Sequence, residues 1–159
     1  MIDLRPVGYI IGLLVALLGG SMTLPLIADL WTPSPNWIGF ATAGAVTLFF
    51  GVAVTLSCAG ARLHALSLQQ IFLITTAVWV VLPVFGALPF VFGAPSARYV
   101  DGYFEAMSGM TTTGSTVFSG LDAMPKGTLL WRALLQWFGG VGVIVEAMAF
   151  LPALRVGGM

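Results

Sequence analysis

Thr111-Thr112-Thr113-Gly114-Ser115-Thr116 is a run of small polar residues set between long apolar stretches. Just before it, Asp101 to Met110 has helical character but is too short to cross a bilayer. At 1.5 Å per residue, roughly ten residues reach about 15 Å, half the hydrocarbon thickness. Lipid offers no hydrogen bonds to irregular backbone, so a polar loop at that depth must be buried in protein or line an aqueous cavity. A half-length helix that enters and stops is therefore the feature from which the fold is read.

Composition sets the class. Of 159 residues, 58% are hydrophobic and 8% charged, with a mean hydropathy of +1.01, whereas soluble domains carry about 25% charged residues. The expected fold is an all-α integral membrane protein in a lipid bilayer. Six basic residues balance six acidic ones, which leaves no electrostatic footprint for nucleic acid. Cys58 is the sole cysteine, so an internal disulfide is excluded and a thiolate metal cluster disfavoured. His64, Glu105 and Glu146 are expected at different depths, whereas an enzyme needs acid, base or metal groups converging at one place; no catalytic residue is assigned and no enzyme is expected.

Laying a ruler of about 20 apolar residues along the chain gives spans near 7–28, 37–59, 71–92 and 128–154. The first is read as a retained span rather than a signal peptide, with Asp29, Trp31, Pro33 and Pro35 as its interfacial turn. Gly39, Gly44 and Gly51 in the second are read as the ordinary glycine content of membrane helices, and Cys58 as a small packing residue at its end. Ser67 is expected to cap the third span, and Pro83 and Pro89 to bend it. Asp101 is expected to cap the short helix, with Glu105 favoured by the dipole of its first turns. On the last span, Trp131 and Trp137 read as interface anchors and Arg132 as snorkelling to the interface in preference to a counter-charge near the pore mouth. Gly139, Gly140 and Gly142 read as permitting close packing against the short helix. Arg62 and His64 read as a solvated turn. Positive residues do not set the orientation, since Arg5, Arg62 and Arg155 face one side and Arg98, Lys126 and Arg132 the other. Asp29, Asp101, Glu105 and Asp122 gather on the second side, where a rim of carboxylates would attract cations.

A channel selects a dehydrated alkali ion by offering carbonyl oxygens in place of its water, as in the Thr-Val-Gly-Tyr-Gly loops of potassium channels. The polar stretch is a relative of that pattern. Gly114 permits the unusual dihedrals needed to align carbonyls, and threonine hydroxyls can add ligands or orient the loop.

Four segments then carry a resemblance to a known family. They are Glu105-Ala106-Met107-Ser108-Gly109-Met110 with the polar stretch, Gly120-Leu121-Asp122-Ala123-Met124-Pro125-Lys126-Gly127, Leu130-Trp131-Arg132-Ala133-Leu134-Leu135-Gln136-Trp137-Phe138-Gly139-Gly140-Val141-Gly142, and Leu151-Pro152-Ala153-Leu154-Arg155-Val156-Gly157-Gly158-Met159. Together with Gly86-Ala87-Leu88-Pro89-Phe90, they resemble the membrane subunit of bacterial Trk potassium uptake systems, of TrkH type within the Trk/Ktr/HKT superfamily.

The resemblance implies an N-terminal helix pair over 1–66 and the first of four pore repeats over 67–159. That repeat would comprise a helix at 71–92, a pore helix at 101–110, a filter at 111–116 and a helix at 128–154. Thr112, Thr113, Gly114 and Ser115 would hold potassium, supported by Thr111, Thr116, Asp101 and Glu105. The implied setting is the bacterial inner membrane, with potassium the transported ion, no cofactor, and no metal other than potassium. The implied partners are the remaining repeats or further copies of the chain and a cytoplasmic nucleotide-binding regulatory subunit. A non-conducting truncated or assembly subunit and a homotetrameric cation channel are the other readings, because one filter segment cannot enclose a pore. Glu146 departs from the apolar residue expected at its position. It is read as protonated or locally paired, rather than as part of a permeation path.

Overall fold

The computed structural model describes residues 3–60 and 66–156, with the side chains of 146, 147 and 149–156 excepted. The expectations for Arg62 and His64, and for the side chain of Glu146, lie outside these residues. All regular structure among the described residues is helical: α1 (Arg5–Ser21), α2 (Thr23–Trp31), α3 (Trp37–Ser57), α4 (Leu68–Gly86), α5 (Leu88–Phe92), α6 (Tyr99–Met110) and α7 (Lys126–Val156), with a single 3-10 turn at Leu121–Ala123. Four segments are long and apolar enough to cross a membrane, namely Arg5–Trp31, Trp37–Ser57, Leu68–Phe92 and Lys126–Val145. Large apolar side chains such as Leu17, Phe49, Phe72 and Ile144 are exposed on their outer faces, as expected where the solvent is lipid. The chain is an all-α integral membrane protein.

Prolines place the breaks. Pro25 has no N–H to return to Ser21, and the first span accordingly bends at Met22 between α1 and α2. Pro89 likewise cannot bond Phe85, and α4 gives way to α5 at Ala87. There the Phe90 N–H bonds the Ala87 carbonyl at 3.0 Å, and the Gly86 carbonyl accepts the Trp131 indole N–H at 2.9 Å. Trp131 is therefore not an interface anchor. It is fully buried and packs edge-on against Phe40, with ring centroids 6.3 Å apart, whereas Trp137 is exposed. Ser67 caps α4 reciprocally with Gln70, its hydroxyl accepting the Gln70 N–H at 3.2 Å and its own N–H reaching Oε1 at 2.9 Å.

The glycines of α3 are packing positions after all, Gly44 and Gly51 in a seam against α1 and Gly39 against Gly93. A Cβ on Gly51 would stand 2.7 Å from the Ala16 Cα. Across the same seam, one on Gly12 would stand 2.7 Å from the Thr55 nitrogen, and one on Gly19 2.8 Å from the Leu48 nitrogen. Without a hydrophobic force to drive helices together in lipid, close backbone approach supplies the dispersion energy that holds α1 to α3.

Candidate functional site

Residues of α6 and the loop after it build the site. Arg98, with extended backbone, precedes the first turn of α6, and Asp101 lies inside that turn rather than capping it. The two side chains pair at the surface, Arg98 Nε and Nη2 donating to the Asp101 carboxylate at 2.8 and 3.2 Å. This contact raises the guanidinium pKa, chiefly through the hydrogen bond and then through charge. The far end of α6 is wedged tightly. A Cβ on Gly109 would come within 3.0 Å of the Leu135 Cβ, and one on Gly139 would fall on the Met110 carbonyl. Of the three glycines expected to allow this packing only Gly139 does so, since Gly140 and Gly142 face open space.

The loop begins as a helix terminus of Schellman type. Thr111 ends the helix, the Thr112 N–H bonds the Gly109 carbonyl at 2.9 Å, and the Thr113 N–H bonds the Ser108 carbonyl at 3.0 Å. The position after the cap requires left-handed backbone and is usually glycine, yet Thr112 occupies it with φ of 56°. For a β-branched residue this conformation costs on the order of 1–3 kcal/mol. Gly114 is also left-handed, at φ 76°, and its N–H turns back to the Ser108 carbonyl at 3.3 Å. Three consecutive N–H groups are thus spent on the end of α6. Among the described residues no hydrogen bond ends on the carbonyls of Thr112, Thr113 or Gly114, and residues 111–117 are all exposed.

The loop is tied down again on its far side. The Ser108 hydroxyl donates to the Ser115 carbonyl at 2.6 Å. Glu105 Oε2 accepts the Thr116 hydroxyl at 3.0 Å and the Val117 N–H at 3.2 Å, while Oε1 accepts Arg132 Nε at 2.6 Å. The Glu105 side chain is 1% exposed and that of Arg132 20%. Arg132 therefore does not snorkel; it neutralises a buried carboxylate whose other oxygen holds the loop. The Thr111 hydroxyl bonds the Met107 carbonyl and pairs with the Thr113 hydroxyl, both at 2.9 Å.

These contacts revise the expected acidic rim. Glu105 is buried beneath the loop and Asp29 is fully buried elsewhere, leaving Asp122 exposed and Asp101 partly so. Asp101 is separated from Met110 by nine residues of helix, about 14 Å, and takes no part in holding the loop. Thr112, Thr113, Gly114 and Ser115 are contiguous, with Thr111 and Thr116 as the hinges on either side. Ser108 is the supporting residue that sequence reasoning missed, and Arg132, weighed as a counter-charge but read as snorkelling, is the one it misplaced. A serine inside an otherwise apolar membrane helix is a group that must find an acceptor, and that was the available signal.

Comparison with known proteins bears on this geometry. The TrkH family, described as a cation transport protein, matches residues 39–159. The Trk system potassium uptake protein TrkH of Escherichia coli K12 is 41% identical over 98% of this chain, which spans 32% of that protein. TrkH of Halomonas elongata is 39% identical over 99% of the chain. The crystal structure of the potassium transporter TrkH from Vibrio parahaemolyticus superposes with a TM-score of 0.89 at 40% identity, covering 99% of this chain and 34% of that one. The chain thus spans about a third of the length of the relatives it matches.

Proposed function

We infer the function from one premise: the chain belongs to the TrkH family of cation transport proteins. Membership makes it part of a membrane transporter rather than an enzyme. We propose that it takes part in potassium uptake and that residues 112–115 supply one segment of a carbonyl-lined filter. In this reading residues 1–66 are an accessory helix pair and 67–159 one pore repeat, with α6 as the pore helix. Further repeats supply the other segments, a cytoplasmic nucleotide-binding subunit regulates the flow, and the setting is the bacterial inner membrane.

The observation that carries this reading is the division of labour in the loop backbone. The N–H groups of Thr112, Thr113 and Gly114 all turn onto α6, so the faces left for a ligand present acceptors. A dehydrated cation needs oxygen atoms that are held in place. Among the described residues the carbonyls of Thr112, Thr113 and Gly114 accept no hydrogen bond, while that of Ser115 already accepts one from the Ser108 hydroxyl and has its second lone pair left. The carboxyl end of α6, the negative end of its dipole, points at the same loop and adds to the attraction. Ions need no chemical step to cross, since about 2.3 kcal/mol per charge is available for each 100 mV of membrane potential. Replacing Gly114 with alanine tests this. Left-handed backbone resists a side chain there, and the new Cβ would lie 3.3 Å from the Gln136 amide nitrogen. The variant transporter should lose most of its discrimination of potassium from sodium while reaching the membrane normally. Unchanged discrimination would remove residues 112–115 from the ion path.

A further inference from the structure

At the end of the helices where α2 stops and α3 and α7 start lies a second polar cluster, apart from the loop at 111–116. Asp29, at the end of α2, is fully buried, as is Thr128 in the first turn of α7, and Asn36 ahead of α3 is 7% exposed. Asp29 Oδ1 accepts the Gly127 N–H at 2.7 Å, and Oδ2 accepts the Asn36 amide at 2.6 Å. That amide also donates to the Thr128 hydroxyl at 3.2 Å. The Asn36 carbonyl oxygen accepts the Ala94 N–H at 2.5 Å, and the Thr128 hydroxyl closes the circuit on the Ala94 carbonyl at 3.1 Å. Among the described residues no buried side-chain polar atom is left without a partner, and the ion pairs found are Arg98–Asp101 and Arg132–Glu105. The Asp29 carboxylate is therefore held by two neutral donors, the Asn36 amide and the Gly127 N–H at the start of α7, where the helix dipole favours an acid.

The cluster joins four places: the end of α2, the start of α3, the link before α6 and the start of α7. The last two lead into the helices that flank the loop at 111–116. From Gly127 to Arg132 is five residues of helix, about 8 Å, and Arg132 holds Glu105, which holds Thr116 and Val117. Ala94 stands just ahead of α6, the helix on which Thr112, Thr113 and Gly114 are tied. A fully satisfied buried network admits few alternative arrangements, so it fixes the axial position of both helices. We propose that Asp29 and Asn36 are positioning residues for ion discrimination: through this circuit the N-terminal helix pair sets the spacing of the loop's two anchors. The inference rests on the reading of residues 112–115 as a filter segment.

The test uses the full transporter, comparing potassium uptake with its inhibition by sodium at matched abundance in the membrane. Asp29→Asn keeps size but sets two amide donors against each other at Asn36. It should lower potassium-over-sodium discrimination about tenfold, the scale of loss when a supporting shell shifts a site by a fraction of an ångström. Exchanging the pair as Asp29→Asn with Asn36→Asp restores a donor facing an acceptor between the two, although the Thr128 hydroxyl must then turn from the Ala94 carbonyl to the new carboxylate, and should recover about half of the lost discrimination on a logarithmic scale. An unchanged ratio in the single variant, or no recovery in the double, overturns the proposal. If Asp29→Asn fails to accumulate, Thr128→Val, which removes only the bridging hydroxyl, decides by the same ratio. Gly114→Ala, measured alongside, separates the two claims. Discrimination lost at Gly114 but untouched at Asp29 defeats this inference alone, whereas discrimination untouched at both defeats the filter reading.

Discussion

The N-terminal helices and the loop-bearing half of the molecule hold together by different physics. Between α1 and α3 the contact is backbone against backbone, made where Gly12, Gly19 and Gly51 have no side chain to intervene. Around α6 and α7 one close backbone approach, Gly139 on Met110, is joined by directional contacts that the α1–α3 seam lacks: Trp131 to Gly86, Arg132 to Glu105, Ser108 to Ser115. A seam of small residues fixes distance but tolerates sliding, whereas a hydrogen bond in a low dielectric fixes both distance and angle. The half that must hold loop carbonyls in place is the half where directional contacts are added to close packing.

The sharpest way to break that half is at its tightest point. Gly139→Leu would put a side chain where the Met110 carbonyl stands, and neither backbone can give way. The cost should be about 3 kcal/mol or more, read as lost yield and a lowered unfolding temperature in detergent. Glu105→Ala comes next. It strips Arg132, the Thr116 hydroxyl and the Val117 N–H of their acceptor. The expected cost is about 3 kcal/mol, at the low end for a broken buried pair because Arg132 keeps some access to water. Adding Arg132→Met to Glu105→Ala should recover much of that stability without recovering ion discrimination, since Thr116 and Val117 remain unheld. The smallest effect belongs to the seam. Gly51→Ala should cost about 1–2 kcal/mol and leave the discrimination of the surviving protein unchanged. Gly20→Ala on the neighbouring helix, which faces open space, should change stability by less than about 0.5 kcal/mol.

The spans were legible because apolar length is a one-dimensional property. Their ends were too, where the signal is local, as at Ser67 with Gln70 or at the prolines. Trp131, Arg132 and Asp29 were misread for a common reason. Each lies where composition suggests a membrane boundary, but its partner is remote in sequence: Gly86 lies 45 residues from Trp131, Glu105 27 from Arg132, and Gly127 98 from Asp29. Nothing local distinguishes a tryptophan that anchors at an interface from one that repairs a proline break. The same holds for Gly44 and Gly51 of α3, whose role depends on what α1 presents. In the loop, Gly114 announced its left-handed backbone, but Thr112 did not, because its conformation is imposed by the helix terminus before it.

Diffraction from the full transporter crystallised with thallium in place of potassium would test the central claim most directly. The account predicts anomalous density within coordinating distance of the carbonyl oxygens of Thr112, Thr113 and Gly114, lost in Gly114→Ala. Thallium found only beside the surface acids, the exposed Asp122 or the partly exposed Asp101, with none at the loop, would contradict it.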